Sequence, residues 1–178
     1  MSEKVIIDSQ TMMRTLARLS HEIIERNPDR KSLYLVGIKR RGVPMSKILK
    51  NNIEQFSDIS VSLGELDITL YRDDLSEQYN TPHLNSTVID FDVNGKSIIL
   101  IDDVIYTGRT ARAAMDAVMK LGRPSKIELA VMVDRGHREL PIFANYVGKN
   151  IPTAKDEFVS VRLFETDGRN EVALSKPE

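Results

Sequence analysis

The stretch that most constrains the fold of this chain is an apolar run at residues 98–101 that leads directly into two acids, Asp102 and Asp103. An unbroken apolar run bounded by polar residues is typical of a strand buried on both faces, usually in a parallel sheet. After a short turn, apolar residues recur at helical spacing until Gly122 signals the end of a helix. The sequence therefore predicts a loop between a buried strand and a helix, which is where open α/β sheets bind ligands.

The turn at residues 104–110, which we call the phosphate loop, has the composition of an anion-binding site. Gly108 allows the backbone to approach an anion closely, two threonines offer hydroxyl donors, and Arg109 adds a fixed positive charge. The carboxylates of Asp102 and Asp103 can only accept hydrogen bonds, which suits vicinal sugar hydroxyls or a metal ion. Together these groups describe a site for a ribose 5-phosphate. An ordinary strand–turn–helix whose acids cap the helix is the alternative.

A second candidate for anion binding is the segment 37–42, which we call the cationic loop. In this segment two glycines flank three cations at the end of a short apolar strand, residues 33–36. A small, charged loop with exposed N–H groups suits pyrophosphate. A basic surface turn is the alternative interpretation of the same residues.

The rest of the chain alternates between strand and helix patterns. An amphipathic helix begins near Ser9, and Pro44 opens a second helix. Asn94-Gly95 predicts a tight turn between two strands, and residues 71–85 predict a loop or lid. The strand patterns lie at residues 5–7, 33–36, 66–70, 88–93, 96–101, 127–133, 158–163 and 172–174. This alternation predicts an α/β fold with a mainly parallel central sheet and helices on both faces.

Composition narrows the class of protein. The chain of 178 residues fits a single domain over residues 1–178, and the absence of cysteine excludes disulfides and thiolate metal sites. We find no apolar span of about 18 residues and no signal-peptide pattern, so we expect a cytoplasmic protein without a membrane partner. The net charge of −1 gives no overall attraction to nucleic acid, so RNA binding requires a local basic patch.

The run at residues 98–110 resembles the phosphoribosyl-pyrophosphate (PRPP) motif of the type I phosphoribosyltransferases. Segments 65–75, 133–141 and 146–153 resemble the PyrR family, and the likeness extends from about residue 5 to residue 174. Members of that family combine uracil phosphoribosyltransferase activity with RNA-binding control of pyrimidine gene expression. The resemblance implies the type I phosphoribosyltransferase fold, with a small hood formed by the N- and C-terminal segments.

The resemblance also implies the roles of individual residues. Asp102 and Asp103 are the expected catalytic residues for converting uracil and PRPP to UMP and pyrophosphate. Mg²⁺ is the expected cofactor, bound mainly through PRPP, and no protein ligand is assigned to it. The cationic loop becomes the pyrophosphate loop, although many relatives carry threonine where this chain has Arg40. The residues expected to bind PRPP or nucleotide are Arg40, Arg41, Arg72, Val104, Ile105, Tyr106, Thr107, Gly108, Arg109, Thr110, Arg135 and Val159. Arg72 is expected on a mobile lid, and Val159 by itself is typical of a core residue.

RNA binding is the second function that the resemblance implies. The expected RNA-binding residues are Arg14, Arg18, His21, Arg26, Arg138 and Lys149. The first three share one face of the first helix by their spacing, although a solvated helix face is the alternative. The implied RNA partner is the pyr operon leader mRNA, whose binding would control transcription attenuation with UMP or UTP as co-regulator. A homodimer or larger homo-oligomer is also implied. Ala17 and Phe143 stand where relatives often have threonine and arginine. A salvage phosphoribosyltransferase for uracil or another base, without RNA regulation, is the alternative function.

Overall fold

The computed structural model describes residues 2–71 and 86–177. Its strands are β1 (Ser2–Ile7), β2 (Ser32–Ile38), β3 (Ser60–Leu66), β4 (Ser97–Ile105), β5 (Lys126–Asp134), β6 (Tyr146–Asn150), β7 (Phe158–Arg162) and β8 (Glu171–Lys176). Its helices are α1 (Ser9–Glu25), α2 (Gly42–Phe56), α3 (Arg109–Leu121) and α4 (Phe164–Asp167), with a single 3₁₀ turn at Thr69–Tyr71.

The central sheet has five strands in the order β3-β2-β4-β5-β6, and every neighbouring pair is parallel. The connection through α2 runs from β2 outward to β3, whereas the connection through α3 runs from β4 in the opposite direction to β5. The direction of winding therefore reverses between β2 and β4. A crevice opens at the carboxyl ends of two strands where this reversal occurs. The cationic loop follows β2 and the phosphate loop follows β4, so both lie at this crevice.

Helices cover both faces of the sheet, as predicted. On one face α1 and α2 pack over Ile99 and Ile101 of β4, and on the other face α3 packs over Ile98 and Leu100. These four side chains are almost fully buried, which explains why β4 is apolar on both faces. Burial of an aliphatic side chain of this size stabilises the fold by roughly 1.5–3 kcal/mol.

The expected hood is present as a small antiparallel sheet that joins the two ends of the chain. Its order is β1-β8-β7, and α4 connects β7 to β8. Arg162 of β7 forms ion pairs with Glu3 of β1 at 2.7 Å and with Glu171 of β8 at 2.6 Å. These pairs tie the hood strands together through a single guanidinium group.

Two strand predictions are wrong. A strand was predicted at residues 66–70 from its alternating pattern, but β3 ends at Leu66. Leu70 lies on the 3₁₀ turn and is 62% exposed. The turn at Asn94-Gly95 exists, because Lys96 N–H donates to the Val93 carbonyl oxygen at 3.1 Å, but the strand predicted at residues 88–93 is absent apart from an isolated bridge between Val88 and Glu65. β4 already pairs with parallel neighbours on both sides, so neither edge is open to an antiparallel partner.

Three other points concern the sequence predictions. Strand β6 was missed, although its residues belong to a segment that carries the family resemblance. Arg72 and most of the proposed lid fall at residues 72–85, outside the described residues. Across the described ranges 2–71 and 86–177, every helix is too short or too polar to cross a membrane.

Candidate functional site

The phosphate loop connects the end of β4 directly to the start of α3. Gly108 is the N-cap residue and has a left-handed conformation, with φ of 92° and ψ of −3°. Gly108 has no side chain that could cap the helix, although Arg109 N–H donates to Thr107 Oγ1 at 3.3 Å. The next N–H groups of α3 and the helix dipole would favour an anion here. A cavity of about 350 Å³ lies here, lined by the whole loop and by Asp102. The loop therefore has the geometry of a phosphate site.

Asp102 and Asp103 lie at the carboxyl end of β4, immediately before this loop. Asp103 N–H donates to Asp102 Oδ1 at 2.9 Å, and Val104 N–H donates to Asp103 Oδ1 at the same distance. Burial, and then the neighbouring Asp103 carboxylate, raise the pKa of Asp102 well above its usual value. A half-buried acid beside a second acid is unfavourable for folding, and groups with perturbed pKa values concentrate at functional sites.

The cationic loop faces the same two acids from the neighbouring strand. A cavity of about 550 Å³ is lined by Lys39, Arg40 and Arg41 on one side and by Asp102 and Asp103 on the other. Asp102 lines both cavities, so it stands between the two loops. The structure thus brings the phosphate loop and the two acids that precede it next to the cationic loop, which is distant in the sequence.

The contacts of the cationic loop differ from residue to residue. Lys39 Nζ donates to the Ser86 carbonyl oxygen at 2.7 Å and lies 3.5 Å from Glu65. The peptide between Lys39 and Arg40 is cis, and the Arg40 side chain is exposed. Arg41 pairs with Asp167 of the hood at 3.0 Å. The three cations are therefore fixed to different degrees.

Asp67 is an acid at this cavity that the sequence analysis did not select. Burial acts to raise its pKa, but hydrogen bonds from Thr69 and Ser86 outweigh it and lower the pKa to about 2. Its carboxylate fastens the end of β3 to the chain at residue 86 through Ser86 Oγ at 2.9 Å. Asp67 therefore shapes the wall of the cavity.

Arg135, expected near the nucleotide, is 7% exposed and already engaged with the chain. Its guanidinium donates to Thr153 Oγ1 at 3.1 Å and to the Glu157 carbonyl oxygen at 2.8 Å. It also lies 4.0 Å from the centre of the Tyr106 ring, a favourable cation–π geometry. Arg135 thus supports Tyr106, which belongs to the phosphate loop, while Val159 is half-buried against the main core.

Glu139 is a second contact of the phosphate loop that sequence reasoning missed. Its carboxylate lies 3.1 Å from Arg109 Nε, and its backbone N–H donates to the Thr107 carbonyl oxygen at 2.9 Å. Arg138 Nη1 donates to the Tyr106 carbonyl oxygen at 2.8 Å. The segment after β5 is therefore bonded directly to the phosphate loop.

Three of the expected RNA-binding residues lie at the edge strand β6. Arg18 donates to the Gly148 carbonyl oxygen at 2.5 Å, and Arg26 donates to the Asn145 carbonyl oxygen at 3.1 Å, so α1 is held against β6. Lys149 is an exposed residue of the same strand. These three cations form a common basic edge.

The remaining members of that set have different environments. Arg14 is exposed on α1, and His21 stacks on Phe56 of α2 with ring centres 4.5 Å apart. Arg138 is paired with Asp134 at 2.6 Å and lines a cleft of about 470 Å³ together with Asn150. Asn150 follows Lys149 in the chain, so Arg138 lies at one end of the basic edge and His21 lies outside it.

The residues offer few ligands for a metal ion. Within residues 2–71 and 86–177, His, Asp and Glu side chains do not form a group of three or more that is suited to bind one. Asp102 lines both cavities, and Asp103 lines the cavity of the cationic loop. A metal at this site would take most of its ligands from a bound molecule.

Comparison with known proteins gives one family and a set of close relatives. A phosphoribosyl transferase domain matches residues 3–166. The bifunctional protein PyrR of Clostridium novyi is 55% identical over 172 residues, which cover 97% of each chain. The bifunctional protein PyrR of Enterococcus faecalis is 55% identical over 176 residues, covering 99% of this chain and 98% of the other.

Solved structures agree on the fold. The hypoxanthine phosphoribosyltransferase of Trypanosoma cruzi superposes with a TM-score of 0.75 at 16% identity, covering 98% of this chain and 97% of that one. A hypoxanthine-guanine phosphoribosyltransferase of Bacillus anthracis superposes with a TM-score of 0.70 at 18% identity, covering 99% and 100%. The type I phosphoribosyltransferase fold expected from the sequence is confirmed.

Proposed function

Because the chain belongs to the PyrR family of phosphoribosyltransferase-domain proteins, we propose that it transfers the ribose 5-phosphate group of PRPP to uracil, giving UMP and pyrophosphate. One observation carries this proposal: two anion-binding loops flank Asp102 and Asp103 in adjoining cavities at the point where the winding of the sheet reverses. A substrate with a phosphate at one end, a diol in the middle and a pyrophosphate at the other end matches this order of groups.

The residues act through placement and charge. The phosphate loop holds the 5-phosphate, and the carboxylates of Asp102 and Asp103 accept hydrogen bonds from the ribose hydroxyls. A ring nitrogen of uracil loses its proton to solvent and forms a bond to the anomeric carbon as the bond from that carbon to the pyrophosphate oxygen breaks, which inverts the carbon. Positive charge develops on the ribose ring during this exchange, and the two carboxylates stabilise it. The cationic loop receives the departing pyrophosphate.

Mg²⁺ fits this arrangement as a companion of the substrate. Asp102 and Asp103 would hold it only weakly, and most of its ligands would come from the bound substrate and from water. When bound, the ion neutralises part of the charge of the pyrophosphate. Asp102 and Asp103 are the residues that would face it.

The enzymatic proposal is tested by incubating the protein with uracil, PRPP and Mg²⁺ and measuring UMP. We expect the double variant Asp102→Asn/Asp103→Asn to lose at least about 100-fold in kcat, because the charges that stabilise the transition state are gone. The matched control is Asp58→Asn/Asp90→Asn, which removes the same charge from exposed positions outside the site. Full activity in the site variant would contradict the roles of the acids. Turnover of hypoxanthine or guanine without uracil would contradict the choice of base.

We also propose that the basic edge binds the leader mRNA of pyrimidine genes and attenuates their transcription, with UMP or UTP in the nucleotide site. The supporting observation is that Arg18, Arg26 and Lys149 gather along β6, while Arg138 bonds to the phosphate loop. Phosphate contacts from these cations supply affinity, and unpaired bases of the RNA supply specificity. Arg138, at the end of the basic edge, is thus hydrogen-bonded to the loop that would hold the phosphate of the nucleotide.

A gel-shift titration with pyrimidine-leader RNA at several salt concentrations tests this role. For Arg18→Ala/Lys149→Ala, which removes two exposed cations of the basic edge, we expect weaker binding and a salt slope smaller by about one unit for each RNA phosphate that the variant no longer neutralises. The control Arg30→Ala/Lys31→Ala removes two exposed cations away from β6. If wild-type protein makes UMP but ignores the RNA with and without UMP, the chain is a salvage enzyme. Light scattering in the same buffer tests the homodimer or larger assembly that we propose for it.

A further inference from the structure

Arg41 of the cationic loop is held by an acid that belongs to the hood. Arg41 Nη2 donates to Asp167 Oδ1 at 3.0 Å, and Arg41 Nε donates to Asp167 Oδ2 at 3.4 Å. Asp167 is the last residue of α4, and its side chain is only 17% exposed. The same carboxylate accepts a hydrogen bond from Leu163 N–H at 2.9 Å. Asp167 is thus fixed by its own segment before it contacts Arg41.

A second ion pair joins α4 to α2 a short distance away. Lys47 Nζ lies 2.7 Å from Glu165, and both side chains are about half exposed, at 45% and 56%. Arg41 lines the cavity that contains Asp102 and Asp103, whereas Lys47 is absent from the described lining of that cavity. The interface therefore offers two pairs of the same chemical type, of which one reaches the proposed site.

We propose that Asp167 is a positioning residue for the pyrophosphate of PRPP, a role that rests on the function proposed above. Asp167 binds the Nε–Nη2 edge of the Arg41 guanidinium and thereby orients this planar group. Three of the five guanidinium N–H groups lie outside the pair. Those groups remain for a pyrophosphate in the cavity that Arg41 lines. An arginine that is fixed before the ligand arrives loses less conformational freedom on binding.

The sign of the effect separates this role from simple charge competition. If Asp167 positions Arg41, replacement by the neutral isostere asparagine weakens pyrophosphate binding, because the fork becomes free to rotate. If Asp167 only competes with pyrophosphate for Arg41, the same replacement strengthens binding, because a negative charge is removed. The pair also connects the hood to the cationic loop.

The experiment measures binding of magnesium pyrophosphate and of PRPP by calorimetry, together with steady-state kinetics. For Asp167→Asn we expect pyrophosphate affinity to fall about five- to tenfold, with a parallel rise in KM for PRPP. The KM for uracil stays unchanged, a split that a general loss of structure does not produce. Glu165→Gln, which removes one charge from the same helix, changes these values less than twofold. In an Arg41→Ala background, Asp167→Asn has no further effect.

Each other result has a definite meaning. Unchanged or tighter pyrophosphate binding in Asp167→Asn overturns the positioning role, as does an equal loss in Glu165→Gln. A further loss in the Arg41→Ala background also overturns it, since Asp167 would then act by another route. If the wild-type protein itself fails to bind PRPP and pyrophosphate, the proposed function fails first. Because binding is measured without uracil, an error in the choice of base leaves this test intact.

Discussion

The phosphate loop and the cationic loop each begin a helix at a glycine, but the two glycines are required for different physical reasons. Gly108 has a φ of 92°, and a Cβ built there would be 3.5 Å or more from the nearest described atoms outside its own stretch of chain. Gly42 lies so close to the Ile101 carbonyl oxygen that a Cβ there would collide with backbone. One position is constrained by conformation and the other by packing, although the sequence shows the same letter.

The arginines of the two loops differ in a related way. Arg109 pairs with Glu139 in a setting where both side chains are 40% or more exposed. Arg41 pairs with an acid that is 17% exposed. An exposed pair contributes little to orientation, whereas a partner fixed in the structure can hold a guanidinium in place. We therefore expect the phosphate loop to depend on its backbone and the cationic loop to depend on its side chains.

Gly42→Ala has the largest expected effect on stability. The new Cβ meets main-chain atoms of β4, so α2 or β4 must shift. We expect the free energy of unfolding to fall by about 3 kcal/mol and the Tm by about 6–12 °C. Urea unfolding and thermal unfolding measure these values. If Gly42→Ala is no more destabilising than Gly108→Ala, the distinction between a glycine required by packing and one required by conformation is wrong.

Gly108 variants test the conformational side of the comparison. Gly108→Ala should cost about 1–2 kcal/mol, because a side chain is strained in the left-handed region. Gly108→Asn should cost less, because asparagine adopts that region more readily than alanine. Urea unfolding ranks the two variants, and calorimetry with PRPP follows the loop itself. A larger loss in the asparagine variant would show that space, not φ, governs the position.

Asp102, which lines both cavities, gives a pH-dependent prediction. Its raised pKa means that the folded protein retains a proton that the unfolded chain has lost, so stability falls as pH rises above the ordinary value of 3.8. Asp102→Asn removes this loss. The variant should therefore gain stability over wild type as pH increases from about 4 to about 7. Urea unfolding at pH 4 and at pH 7 measures the free energy of unfolding of both proteins. If the difference between them is the same at both pH values, the raised pKa of Asp102 is wrong.

Glu139→Gln has the smallest expected effect and sharpens the comparison of the arginines. Glu139 lines the cavity of the phosphate loop, so its removal lowers the negative charge near a bound phosphate. We expect PRPP affinity to rise by no more than about twofold, since exposed ion pairs are weak. This is the opposite sign to Asp167→Asn in the same calorimetric assay. A loss in both variants would mean that both acids position their arginines.

The sequence predicted those parts of the site that are continuous in the chain. The strand before Asp102, the phosphate loop and the start of α3 follow one another, and each carries its own local signal of hydrophobicity or turn chemistry. The start of α1 was also predictable, because Asp8 caps it by accepting from Thr11 N–H at 2.8 Å. Local rules sufficed where the structure is local.

Contacts between distant segments were not predictable in the same way. Arg41 and Asp167 are 126 residues apart, and Arg109 and Glu139 are 30 residues apart. The sequences around Asp167 and Glu139 are those of ordinary exposed segments. Their arginine partners can therefore be identified only from the folded structure. Strand β6 escaped prediction for a similar reason: it is short, lies at the sheet edge and has polar residues at its end.

The position of the two acids in the middle of the sheet has a consequence for amide hydrogen exchange. β4 is hydrogen-bonded to a neighbour on each side, whereas the hood is a separate three-stranded sheet. Amide protons in β4 should therefore exchange with solvent only in rare, extensive openings, while those of the hood exchange in smaller local ones. We expect such local openings of the hood to leave the two carboxylates of β4 in register.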